Sequence, residues 1–105
     1  MADQLYFDIR YSAGAITAVA DGALNFFTSP DLKKKLAAWI EPGVTAITID
    51  LKNVPHVDSA GIAALIQASK TCNEREISFK ILNAPPAVKT IFGKSGLSAL
   101  VPDAT

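Results

Sequence analysis

One cysteine, Cys72, in 105 residues leaves no partner for an internal disulfide. A lone thiol fits a reducing cytoplasm rather than a cross-linked secreted scaffold. Neither sign of charge is in excess: ten Lys and Arg balance ten Asp and Glu. The long-range field that steers a protein onto nucleic acid or an anionic membrane is therefore missing. No apolar run approaches the ~20 residues of a membrane-spanning helix. The opening MADQLYFDIR has neither the basic start nor the apolar centre of a secretory signal. There is no P-loop, no glycine-rich dinucleotide fingerprint, no cluster of metal-ligand residues and no pair of carboxylates at catalytic spacing. These absences predict a soluble cytoplasmic protein with no cofactor, no metal and no insertion into a membrane. They also lower the expectation of an enzyme.

What is present is apolar: 50% of the residues, enough for a core without staples. The length suits one domain spanning 1–105. LYFDIRY (Leu5 to Tyr11) and AITAVA (Ala15 to Ala20) alternate as strands do, across a Ser12-Ala13-Gly14 turn, and predict a hairpin. Gly22 then supplies either a positive φ or room for close backbone approach. ALNFFT (Ala23 to Thr28) has no clear period. Of its adjacent Phe26 and Phe27, at most one can face a core squarely, and a core anchor is the expected role; an exposed aromatic would instead point to a partner. Ser29 as N-cap and Pro30 as the first helical residue open a helix with a buried stripe of Leu32, Leu36, Trp39 and Ile40. Lys33, Lys34 and Lys35 form its solvated face. Glu41-Pro42-Gly43 ends it.

The rest of the chain is organised around Ile47 to Cys72. A strand, Val44 to Leu51, leads through Lys52 to Val57 into a helix that opens at Asp58-Ser59. Pro55 cannot join a ladder, so the bridge is loop or sheet edge. Ile62, Leu65, Ile66, Ser69 and Cys72 share one helical face, which makes Cys72 core filler rather than a nucleophile. The helix directs its unpaired N–H groups at whatever Ser59 carries, and a phosphate there would be stabilised. The plainer alternative is that Asp58 or Ser59 is simply an N-cap. ISFKIL (Ile77 to Leu82) is a further strand. Pro86 starts a short helix with Val88, Ile91 and Phe92 on one face, stopped by Lys94-Ser95-Gly96, and LSALV (Leu97 to Val101) suits a last strand. Strands alternating with helices predict an α/β fold with parallel pairs joined by right-handed crossovers.

Three segments, taken together, resemble the STAS-domain family, and within it the bacterial anti-sigma-factor antagonists of partner-switching systems. VDSAGIAALI (Val57 to Ile66), after ITIDL and KNVPH, is similar to the family's phosphoacceptor segment D-S-x-G-h-x-x-L, where h is hydrophobic. PAVKTIFGKSGL (Pro86 to Leu97) is similar to P-x-V-x-x-h-h-x-x-S-G-L, and DGALNFFTSPDLKKKL to G-x-L-D-x-x-T-x-x-x-L. The set covers nearly the whole chain in order. The resemblance implies a single STAS-type domain: a mixed sheet, an N-terminal β-hairpin followed by right-handed β-α units, and helices mainly on one face. It implies phosphorylation at Ser59 and a partner-binding surface of Asp58, Ser59, Ala60, Gly61 and Asn25. Gly61 would allow tight passage at the first turn. Asn25 stands where the family often has an aspartate, and Ala60 where some members have a second hydroxyl.

The implied partners are an anti-sigma-factor serine kinase of the GHKL type, bound when Ser59 is unmodified and released on phosphorylation, and a PP2C-type phosphatase that resets it. The protein itself would be a monomer or weak dimer. Two other roles fit the same residues. One is a scaffold or accessory subunit of this fold, in a stressosome or a lipid ABC transporter. The other is a small hydrolase pairing Ser59 with His56, which lacks an oxyanion-hole signature.

Overall fold

The structure, a computed structural model, describes residues 4–94 and Leu100. The elements are β1 (Tyr6–Ser12), β2 (Ala15–Asp21), α1 (Ser29–Trp39), β3 (Ala46–Asn53), α2 (Ser59–Glu74), β4 (Ser78–Leu82) and α3 (Pro86–Lys94). One sheet runs in the order β1-β2-β3-β4. The β1–β2 pair is antiparallel, and β2–β3 and β3–β4 are parallel, each parallel pair joined through a helix. This is the mixed α/β sheet that the sequence predicts. The hairpin is one residue tighter than expected. Ser12 pairs with Ala15, leaving a two-residue connection in which Ala13 and Gly14 take φ of 49° and 86°. Positive φ at both central positions matches the right-handed twist of the flanking strands. The strand expected over Leu97 to Val101 lies outside the described residues, apart from Leu100, which packs against the core.

Register explains the core. Ile16, Ile47 and Phe79 lie side by side across three strands, and Ala18, Ile49 and Ile81 form the next row. All six are buried. Successive side chains alternate between faces, so these two rows carpet one side of the sheet. Leu51 extends the carpet along β3, and Leu65, Leu32, Leu36, Val88 and Phe92 from the three helices complete it. Phe7 of β1 meets Trp39 of α1 edge to face, ring centres 5.2 Å apart.

The helices depart from expectation in three places. In α2 the fully buried face is Gly61, Ala64, Leu65, Ala68, Ser69 and Cys72, while Ile62 and Ile66 sit half-buried at its flank. Hydropathy favours the isoleucines. Close packing of α2 against α1, β4 and α3 instead demands small side chains where the backbones come nearest. In α1, Ser29 is the first helical residue and Thr28 the N-cap, one position earlier than the Ser-Pro signal suggests. The Thr28 hydroxyl does not cap its own helix; it donates to the Ala23 carbonyl at 2.8 Å. In α3, Val88 and Phe92 are buried, but Ile91 faces outward.

Cys72 is sealed in the core, and burial pushes its thiol up to about 11. At pH 8 roughly one thiol in a thousand would then be the reactive thiolate. Native protein is therefore expected to show no reaction with an aromatic disulfide reagent, and to titrate one thiol once denaturant is added. Rapid labelling without denaturant would contradict the packing described here.

Candidate functional site

The site is made where two connections, neither of which reads as a strand in the sequence, pair with each other. The Gly22 N–H donates to the Asn53 carbonyl at 3.2 Å, Leu24 N–H to His56 at 3.0 Å, and Asp58 N–H to Leu24 at 3.1 Å. Leu24 and Val57 thus form a parallel bridge beyond the ends of β2 and β3. Gly22 permits the entry. Its φ is 120°, and a Cβ on it would lie 2.4 Å from the Gln4 carbonyl oxygen. Both uses foreseen for Gly22, a positive φ and close approach, are realised there. The pairing carries Asn25, Phe26 and Phe27 to the start of α2.

Asp58 joins the two connections. It is the N-cap of α2, with extended backbone. Its Oδ1 accepts the Gly61 amide at 2.9 Å, as an N-cap should, and its Oδ2 accepts the Phe26 amide at 3.2 Å. The Gly61 amide is the largest influence on this carboxyl, and it outweighs partial desolvation. With the amides of Phe26 and Ala60 and the charge of His56, it holds the carboxyl below its ordinary 3.8. A depressed carboxylate contributes stability above its unfolded pKa and loses it as pH falls through the folded one. Asp58→Ala should therefore have a lower urea midpoint than the parent at neutral pH. The gap should narrow as pH drops below the ordinary carboxylate range. A gap independent of pH would show that the charge of Asp58 contributes nothing.

Ser59 follows as the first residue of α2, and it is exposed. Among the described residues no side-chain hydrogen bond engages its hydroxyl. His56 is exposed as well and is not hydrogen-bonded to Ser59, so no base is in place to activate the serine. Ala60 is half-buried. Gly61 is buried against the backbone of Leu24, where a Cβ would lie 2.5 Å from the carbonyl oxygen.

Asn25 shapes the neighbouring loop. Its Oδ1 accepts the amides of Phe27 at 2.9 Å and Thr28 at 3.1 Å. A carboxylate could accept the same two bonds, so asparagine keeps the turn without placing a charge on the loop that is bonded to Asp58. Leu24 and Thr28 take the inward positions of this loop, which leaves Phe26 69% and Phe27 73% exposed. The core-anchor expectation for these two is thereby corrected. Asp50 is buried in β3. Its Oδ1 accepts the Lys52 amide at 2.9 Å and the Asn83 side-chain amide at 2.8 Å, tying β3 to the connection after β4.

A four-stranded mixed sheet entered by a hairpin and joined through helices is a fold already seen in solved structures. The Bacillus cell fate determinant SpoIIAA in its phosphorylated form matches with a TM-score of 0.80, covering 95% of this chain and 92% of its own at 20% identity. The STAS-domain model matches residues 6–104, and the chain belongs to the STAS-domain family. Among named relatives, the anti-sigma-B factor antagonist of Staphylococcus aureus is 28% identical over 80 residues, 76% of this chain and 74% of that protein. The putative anti-sigma factor antagonist BtrV of Bordetella bronchiseptica is 24% identical over 89 residues, 85% of this chain and 77% of that one. No described helix is long and apolar enough to cross a membrane.

Proposed function

We propose that this protein is an anti-sigma-factor antagonist switched at Ser59. Unmodified, it docks on an anti-sigma factor that is also a serine kinase of the GHKL type. Transfer of the ATP γ-phosphoryl group to Ser59 Oγ ends the docking, and a PP2C-type phosphatase restores it by hydrolysis. The observation that carries this reading is the exposed hydroxyl at the first position of α2, bonded to no side chain among the described residues, next to the capping Asp58.

The physics of such a switch is asymmetric. A phosphoryl group adds about −1.5 to −2 charges. The first turn of α2 offers it electropositive amide groups, so the fold tolerates the group. A docked surface must instead strip its hydration without supplying a matching cation, which costs several kcal/mol. Asp58, already ionised next door, adds like-charge repulsion. The protein supplies the switch and no catalysis.

Incubation with such a kinase and ATP, followed by peptide mapping, is expected to find a single phosphoryl group on Ser59. Phosphatase treatment should remove it. Incorporation into a Ser59→Ala variant at the parent's rate would overturn the assignment.

A further inference from the structure

Two neighbouring phenylalanines stand in solvent on the loop that is hydrogen-bonded to Asp58, the residue before Ser59. Phe26 and Phe27 are 69% and 73% exposed, with ring centres 5.6 Å apart, edge to face. Single exposed apolar residues are ordinary on protein surfaces, but a paired aromatic patch is not. Nor is the loop slack. The Phe26 amide is held by Asp58 Oδ2 and the Phe27 amide by Asn25 Oδ1, at 3.2 and 2.9 Å. Both backbone donors are used to fix the segment from which the rings project outward. An aromatic anchor held in place before binding loses little conformational freedom on binding, which is the character of an interface hot spot.

Position decides the occupant. A protein that brings a catalytic centre onto Ser59 Oγ covers about 800 Å² of this surface, a patch some 30 Å across. The Phe26-Phe27 loop is hydrogen-bonded to the residue before Ser59, so it falls inside that footprint. We propose that Phe26 and Phe27 are the apolar anchor for the kinase that modifies Ser59, seated in an apolar cleft beside its catalytic centre. This inference rests on Ser59 as the phosphoacceptor. The anchor supplies docking strength and the serine supplies the switch, and Asp58 links them, since it caps the helix carrying Ser59 and holds the Phe26 amide. Phosphorylation places a dianion against that link, charging the interface at the edge of its apolar anchor.

The test is transfer of labelled phosphate from ATP to Ser59 by an extract of the source organism, with the full-length protein as substrate at varied concentration. The parent should be labelled at Ser59. Phe26→Ala/Phe27→Ala should raise KM about thirtyfold, the loss of one strong hot spot, with an unchanged maximal rate. Phe26→Leu/Phe27→Leu should recover part of the loss. Tyr6→Ala/Tyr11→Ala removes two exposed aromatics of the edge strand β1 and should leave KM unchanged. Circular dichroism melts of the phenylalanine variants should match the parent, since both rings lie outside the core. Labelling of the double alanine variant with the parent's KM would overturn the anchor and leave the switch standing. An equal rise in KM for the tyrosine variant would also overturn it. Failure of the parent to be labelled at Ser59 would overturn the switch and the anchor together.

Discussion

Ser59→Asp is expected to weaken binding to the anti-sigma factor by about a hundredfold to a thousandfold, while Ser59→Ala binds as the parent does. One uncompensated charge in a desolvated contact costs about 3–4 kcal/mol, and about 1.4 kcal/mol is one decade of affinity. Aspartate carries one charge where a phosphoryl group carries nearly two, so genuine phosphorylation should have the larger effect. The substitution should leave the fold intact, because Ser59 is exposed and its side chain bonds to no neighbour among the described residues. An acidic residue in the first turn is also favourable to the helix. Titration calorimetry checks the affinities, and a thermal melt checks the fold. Parent-like binding by the aspartate variant would remove the electrostatic basis of the switch. Loss of binding by the alanine variant would show that the hydroxyl itself is a contact.

Gly61→Ala should damage the site although it adds a single methyl group to a helix. Two effects oppose each other. Alanine is a better helix former than glycine by about 1 kcal/mol. Against this, the new Cβ would lie 2.5 Å from the Leu24 carbonyl oxygen, 2.9 Å from its Cγ and 3.0 Å from its carbonyl carbon. Two of those three atoms are backbone, and they cannot retreat freely. The Leu24 carbonyl accepts the Asp58 amide and the Leu24 amide donates to His56, at 3.1 and 3.0 Å. Relief of the overlap breaks those bonds, at about 1 kcal/mol each, and adds overpacking strain of about 1–3 kcal/mol. Strain wins: the net loss is about 2–4 kcal/mol, or on the order of 10–20 °C in Tm for a domain of this size. Amide resonances of residues 22–28 should move more than those of β4, because the clash pushes the loop rather than the sheet. An unchanged Tm would mean that Leu24 is not held against Gly61.

Most of the architecture was legible because it is written in local periods. The hairpin, the three helices and the strands around Ile49 and Ile81 all appear as period-2 or helical patterns, and their boundaries moved by only one or two residues. The illegible parts share a cause. The inner face of α2 is set by how near its neighbours come, which favours Gly61, Ala64 and Ala68 over Ile62 and Ile66, and hydropathy does not encode distance. The outward turn of Phe26 and Phe27 depends on Asp58 and Asn25 binding their amides, and Asp58 is 32 residues away from Phe26. One signal was available for that loop. Asn25 followed three residues later by Thr28 is the kind of pair that forms side-chain-capped turns.

By itself the chain determined the class of fold, the helix opening at Asp58-Ser59 and the placement of Cys72 in the core, since each follows from spacing along a single element. Only the tertiary structure decided what stands beside Ser59: a carboxylate clamped between two connections, a backbone pressed against Gly61, and two aromatic rings held in solvent. Those features arise from hydrogen bonds and close approach between segments far apart in sequence, and no local pattern carries that information.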